Sequence, residues 1–285
     1  MSQYQIITDS GCDLPQSMLT ELNVHSRPLT VNFRGQTLDD SVDAGIQEIY
    51  AGLRAGEGAT TSAVNPEGWR SAIEPVLRAG DDALVITFSS GLSTTYQSAV
   101  IAANELLEEY PHRKIRVVDS LAASLGQGLL VYYTCEKREE GLSLDALADW
   151  VEEAKKNLCM WFTVDDLMYL KRGGRVSAAT ALVGTMLQIK PVLHVDAEGH
   201  LINMAKCRGR KASIQALADK VKNAGMQNDL VYICHGDCLA DAQLLADMIK
   251  KECGVKEVFI GYTGAVIGSH SGPGTLAIFY MGNNK

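Results

Sequence analysis

The chain has 285 residues, long enough for two domains and a large core. Its 26 lysines and arginines against 34 aspartates and glutamates give a net charge of −8, which argues against non-specific binding to nucleic acid or anionic membranes. With 46% hydrophobic and 21% charged residues, and no apolar run near the roughly 20 residues of a membrane span, the composition excludes stable membrane insertion and fits an ordinary globular protein.

The N-terminus enters a strand almost at once, Tyr4 to Thr8, with no signal-peptide pattern, so a cytoplasmic protein is expected. That strand ends in Asp9-Ser10, and Asp13 is placed to cap a helix whose first turn holds Pro15. Leu29 to Phe33 and Gln36 to Leu38 flank Arg34-Gly35, a hairpin signal. A short helix follows near Ala44 to Leu53, then a Gly-rich connector leading to the hydroxyl cluster Thr60-Thr61-Ser62. Asn65 and Pro66 open another helix as cap and first residue.

Ala83 to Phe88 is an apolar run of the kind found in buried strands. It leads into Ser89-Ser90-Gly91-Leu92-Ser93-Thr94-Thr95 and then a helix from Ala99. A strand, a hydroxyl-rich turn and a helix start together present free backbone N–H groups and a positive dipole end, suited to an oxygen-rich anionic head group. Simple helix capping by these residues is the competing reading. Lys114 to Ser120 is a further strand ending in Asp-Ser, and the helix from about Leu121 carries Gly126 and Gly128, which allow close approach to a neighbour. Gly141 ends that helix and Ser143 caps the next, which runs to about Asn157.

A second unit is expected from Cys159. Leu170-Lys171-Arg172-Gly173-Gly174-Arg175 precedes a helix capped by Ser177, and Ile189 to Val195 pairs with His200 to Lys206 in a hairpin. Arg208 and Arg210 stand at a helix start, where an arginine can take a phosphate. Strands follow at Leu230 to Cys234 and Glu257 to Tyr262, and a Gly-rich turn from Gly268 to Gly274, holding His270, feeds the last strand. The fold class is therefore α/β with two domains. Residues 1–158 form an open, mainly parallel sheet with helices on both faces, and residues 159–285 form a mixed α/β unit.

The seven cysteines are odd in number, and Cys234 and Cys238 lack a second ligand pair at zinc spacing, so reduced thiols and no metal are expected. The sequence holds no Gly-x-Ser-x-Gly elbow, Walker A loop or His-Glu-x-x-His motif. Strand ends at Asp9-Ser10, Ser89-Ser90 and Asp119-Ser120 would gather oxygen groups along one sheet edge, which favours binding over catalysis. The rival reading is a small hydrolase or phosphotransferase using His270 with Ser93.

Ordered motifs then mark a resemblance. They are Thr8-Asp9-Ser10…Asp13-Leu14-Pro15, Thr61-Ser62, Ser89-Ser90-Gly91-Leu92-Ser93…Thr95-Tyr96 and Val118-Asp119-Ser120. Leu170 to Arg175, Ile189-Lys190-Pro191 and His270…Gly272-Pro273-Gly274 continue the series. Over essentially its whole length the sequence resembles the DegV family of bacterial fatty-acid-binding proteins. The resemblance implies a long-chain fatty acid as ligand, held between or beside the two domains, with its carboxyl group on Thr61 and Ser93. Ser62, Thr94, His270 and Arg208 are implied as a secondary head-group or transfer site. It further implies no cofactor, no catalysis by the chain alone, and an ATP-binding fatty-acid kinase subunit as partner. A monomer is expected. Thr94 stands where the family usually has Gly, Ala63-Val64-Asn65 replaces a more Pro-rich stretch, and Ala277 replaces a common Gly.

Overall fold

The computed structural model describes residues 3–43, 45–177, 188–225 and 230–283. In the first half the elements are β1 (Tyr4–Asp9), α1 (Gln16–Glu21), β2 (Val24–Arg27), β3 (Thr30–Phe33), β4 (Gln36–Asp39) and α2 (Ile46–Arg54). They continue with β5 (Ala59–Ser62), α3 (Pro66–Ala79), β6 (Asp82–Thr87), α4 (Thr95–Glu109), β7 (Ile115–Asp119), α5 (Leu125–Glu139) and α6 (Leu144–Ala154). The second half holds β8 (Leu158–Thr163), α7 (Met168–Arg172), β9 (Ile189–Val195), β10 (Leu201–Arg208) and α8 (Arg210–Lys222). It ends with β11 (Leu230–His235), α9 (Leu239–Cys253), β12 (Glu257–Tyr262), α10 (Ala265–Ser271) and β13 (Leu276–Met281). The helix expected after Ser177 lies outside the described residues, as does Ala44.

Strands β2-β1-β6-β7 form an all-parallel sheet. All six residues of β6 are buried, as the unbroken apolar run requires of a strand covered on both faces. Ile6, Leu84, Ile86 and Val118 point to one face, against α5 and α6, while Ile7, Ala83 and Val85 point to the other, against α3 and α4. A six-stranded mixed sheet, β10-β9-β8-β13-β11-β12, is antiparallel except for the β11–β12 pair. The α/β class, with one parallel and one mixed sheet, follows from this pairing.

Helix α5 is packed between the two large sheets. Its Leu125, Leu129, Leu130 and Val131 share one core with Ile86 of the parallel sheet and with Met160, Phe162 and Phe279 of the mixed sheet. The two glycines make that double contact possible. A Cβ on Gly126 would lie 2.8 Å from both Met160 Sδ and Phe279 Cδ1, and one on Gly128 would lie 2.6 Å from the Cys12 carbonyl oxygen. The outer face of the mixed sheet is covered by α8 and α9 through Ile214, Leu217, Leu245 and Ile249.

Three local readings change. Thr60 to Ser62 is strand β5, which joins β3 and β4 in a small antiparallel sheet, β4-β3-β5. Asp13 does not cap α1, whose cap position is Pro15; it adopts a left-handed conformation, φ 53°, and its carboxylate accepts a hydrogen bond from Ser124. The Gly268 to Ser271 stretch is helical, the second half of α10, so His270 sits near a helix end rather than in a loop. Gly268 keeps the helix path because it packs on the Tyr50 ring, against which a side chain would collide. Among the described residues no helix is long and apolar enough to cross a membrane.

Candidate functional site

A cavity of about 490 Å³ lies between the carboxyl ends of the parallel sheet and one face of the mixed sheet. Its apolar wall includes Phe88, Leu92, Phe162, Leu170, Val195, Leu201, Val266, Ala277 and Phe279. The strand register explains why these residues share a wall. Ala277 is paired with Phe162 on one side and Cys234 on the other, and Phe279 lies two residues along on the same face. Thr61, Ser62, Ser93, Thr94, Arg175 and His270 add polar groups to the lining.

Thr61 Oγ1 and His270 Nε2 are 2.7 Å apart, which joins β5 to α10 across 209 residues of sequence. His270 is held from its other side by Gly173, where a side chain would overlap the ring. Burial, and secondarily the Arg175 charge, push the His270 pKa down from 6.5 to about 4, so the ring is neutral near pH 7. Arg175 is itself half-buried: its Nε and Nη2 donate to the Leu92 carbonyl at 3.2 and 3.0 Å, and desolvation lowers its pKa. Through Leu92 it braces the loop that carries Ser93.

Ser93 serves two purposes. Its hydroxyl accepts the Thr95 N–H at 3.3 Å and shares a 2.8 Å hydrogen bond with the Thr95 hydroxyl, so it closes the turn that leads into α4 while facing the cavity. Ser62 and Thr94 line the same cavity and are exposed. Arg208 is not brought into this group. It stands exposed at the end of β10 opposite Ile189, outside the cavity lining. Arg210, its neighbour in the basic turn, is occupied by Asp241 at 2.8 Å.

Most of the Asp-Ser strand ends serve the backbone instead of a ligand. Asp9 accepts the Phe88 N–H at 2.7 Å and the Gly11 N–H at 3.0 Å, and Asp119 accepts the Ser90 N–H at 3.1 Å. Fully buried Asp9 is pushed up to about 7, chiefly by desolvation. Of these groups only Ser90 lines the cavity. Arg175, the last residue of the Leu170 to Arg175 motif, lines the cavity beside Thr61 and His270. Ser124, Cys234 and Thr263 also line the cavity; nothing in the sequence placed them together, because tertiary packing alone brings the three segments to one wall.

A second, more polar hollow of about 390 Å³ lies across the same three residues, Thr61, Arg175 and His270, and adds Glu57, Thr60, Tyr169 and Arg172. Arg172 stacks over the Tyr169 ring at 4.5 Å, and the Tyr169 hydroxyl donates to the Leu53 carbonyl at 2.8 Å. Thr61, Arg175 and His270 thus form a partition with an apolar chamber on one side and a polar one on the other. Among the described residues no group of three or more His, Cys, Asp or Glu side chains is placed to hold a metal.

The depressed His270 pKa gives a direct check. The folded value lies below the 6.5 of an unperturbed ring, so the neutral imidazole contributes stability above that pH, and this is lost as pH falls toward 4. An NMR titration of the imidazole should place the His270 midpoint near 4. A midpoint near 6.5 would show that the ring is solvated and not held in the partition.

Comparisons with known proteins fit this geometry. The model of the DegV family, described as uncharacterised, matches residues 3–283. A DegV domain-containing protein of Clostridium perfringens is 44% identical over 291 residues, covering 100% of this chain and 99% of that protein. Among solved structures, a fatty-acid-binding DegV family protein of Thermus thermophilus aligns with a TM-score of 0.87 at 33% identity, covering 99% of this chain and 100% of that one. The fatty acid kinase (Fak) B3 protein of Streptococcus pneumoniae, loaded with linoleic acid, aligns with a TM-score of 0.85 at 26% identity, covering 99% and 100% of the two chains. The chain belongs to the DegV family.

Proposed function

We propose that this chain binds a long-chain fatty acid in the apolar chamber and presents its carboxyl group at the partition of Thr61, His270 and Arg175. The observation that carries this reading is the junction of a 490 Å³ apolar chamber with a polar hollow across one set of hydrogen-bonding side chains. The chamber volume lies within the roughly 300–1,000 Å³ of small-molecule sites. Burial of about 14 methylenes at about 0.8 kcal/mol each gives about 11 kcal/mol before entropic costs, so the tail can supply the affinity. Thr61 and Ser93 then orient the head, with Arg175 matching its charge. Lining residues come from both 1–158 and 159–285, which supports two units with the acyl chain between them.

The polar hollow suits an incoming phosphoryl group from an ATP-binding partner. In that reaction a carboxylate oxygen attacks the γ-phosphorus of ATP, the bond to the ADP oxygen breaks, and an acyl phosphate forms. Neutral His270 can donate a hydrogen bond to the developing anion without first giving up a proton. The chain alone does not catalyse the step. His270 engages Thr61 and Ser93 engages Thr95, which gives no support to a Ser93–His270 nucleophile–base pair.

Protein purified from bacteria should carry fatty acid detectable by native mass spectrometry. Thr61→Ala and Ser93→Ala should each weaken palmitate binding by about 1–3 kcal/mol while leaving the fold intact. Lipid-free protein unable to take up palmitate or oleate would overturn the reading, and unchanged affinity in both variants would move the head group elsewhere.

The transfer step has its own test. With a fatty-acid kinase partner and ATP, His270→Ala and Arg208→Ala should retain bound lipid but lose acyl-phosphate formation on the order of 100-fold. For Arg208, which lies outside the cavity, the loss should appear as weaker partner binding. Wild-type rates in both variants would remove them from the transfer step.

A further inference from the structure

The carboxyl-binding reading leaves several polar residues on the cavity wall unused, three of them in one cluster. Ser124 precedes α5, Cys234 lies in β11, and Thr263 lies just before α10; all three line the chamber beside apolar Phe162, Ala277 and Phe279. Thr263 Oγ1 donates to Cys234 Sγ at 3.1 Å, and Ser124 Oγ, whose one proton goes to Asp13, lies 3.2 Å from the same sulfur, where it can accept from the S–H. Burial pushes the Cys234 thiol up to about 12, so a neutral thiol, a weak donor and weak acceptor, sits between the two hydroxyl oxygens.

The backbone adds a second observation. Ser124 has φ 56° and ψ −149°, a region occupied almost only by glycine. Glycine would relieve that strain, but it would remove the hydroxyl held between Asp13 and Cys234. The surrounding structure holds a strained serine so that its oxygen faces this point.

This locus is separate from the head-group partition. Thr263 precedes and His270 nearly ends α10, a helix of 7 residues, so the two lie roughly 10 Å apart along its axis. A carboxyl group at Thr61 would place the middle of an acyl chain against Ser124, Cys234 and Thr263. A plain hydrocarbon gives the Thr263 hydroxyl nothing better than the sulfur, whereas an oxygen on the chain is a stronger partner.

We propose that the Ser124–Cys234–Thr263 cluster is a subsite for an oxygen function, a hydroxyl or carbonyl, carried part-way along the acyl chain. The inference rests on the acyl-binding reading and adds a preference within it. The test offers delipidated protein equal amounts of stearic acid and a panel of monohydroxystearic acids, with the hydroxyl at position 2 or at successive mid-chain positions. Occupancy is read by native mass spectrometry. At least one mid-chain isomer should be favoured over stearic acid by about fivefold or more, the worth of one hydrogen bond, and the 2-hydroxy isomer should not be. The isosteric Thr263→Val change should abolish that preference while stearic acid still binds, and Cys234→Ala, which removes the competing sulfur, should keep or raise it. Stearic acid bound as well as every isomer by the wild-type protein would overturn the subsite alone. So would a preference that survives Thr263→Val. Failure to bind stearic acid and all isomers would overturn the acyl-binding reading and the subsite together.

Discussion

The double burial of helix α5 is the constraint on which the rest depends. One side packs against the parallel sheet and the other against the mixed sheet, so both sheets share one core instead of meeting through a polar interface. Gly126 and Gly128 set the spacing, because a methyl group at either position would meet sulfur, ring or carbonyl atoms within 2.6–2.8 Å. The chamber opens where that close packing gives way, above the carboxyl ends of β6 and β7 and against the inner face of β8, β11 and β13. Its position follows the general rule for open α/β sheets, in which loops at strand carboxyl ends form the ligand crevice.

Buried carboxylates hold those loops in place. Asp9 ties the end of β1 to Phe88 at the end of β6, and Asp40 accepts the Val266 N–H at 3.0 Å and so anchors the first turn of α10. Desolvation raises Asp40 to about 6, with Ser10 and the α10 backbone N–H groups opposing the rise. Fixed at its start by Asp40 and packed on Tyr50 through Gly268, α10 brings His270 to Thr61. The partition is therefore built from opposite ends of the chain, and its geometry is a consequence of tertiary packing.

Much of the architecture was legible because it rests on local chemistry. The all-buried run of β6, the Asn65 and Ser143 caps and the Arg34-Gly35 hairpin each carry their own signal, and each appears where expected. The Asp-Ser strand ends were correctly placed but their task was not legible, since an aspartate that binds its own loop looks the same in sequence as one that binds a ligand. Thr60 to Ser62 was hidden as a strand because its partner β3 lies across an intervening helix. His270 was recognisable as a candidate residue, but its helical setting was masked by Gly268 and Gly272, which pack closely on Tyr50 and Tyr169. The Ser124–Cys234–Thr263 cluster had no local signal, because it is assembled from three segments only by the sheet register.

A crystal structure of the protein with a bound long-chain fatty acid tests the head-group assignment most directly. The carboxylate should lie within hydrogen-bonding distance of Thr61 Oγ1 or Ser93 Oγ, close to Arg175, with the acyl chain running over Phe162, Ala277 and Phe279. A carboxylate found at Ser124 and Thr263 with its tail toward His270, or an acyl chain bound outside this chamber, would contradict it.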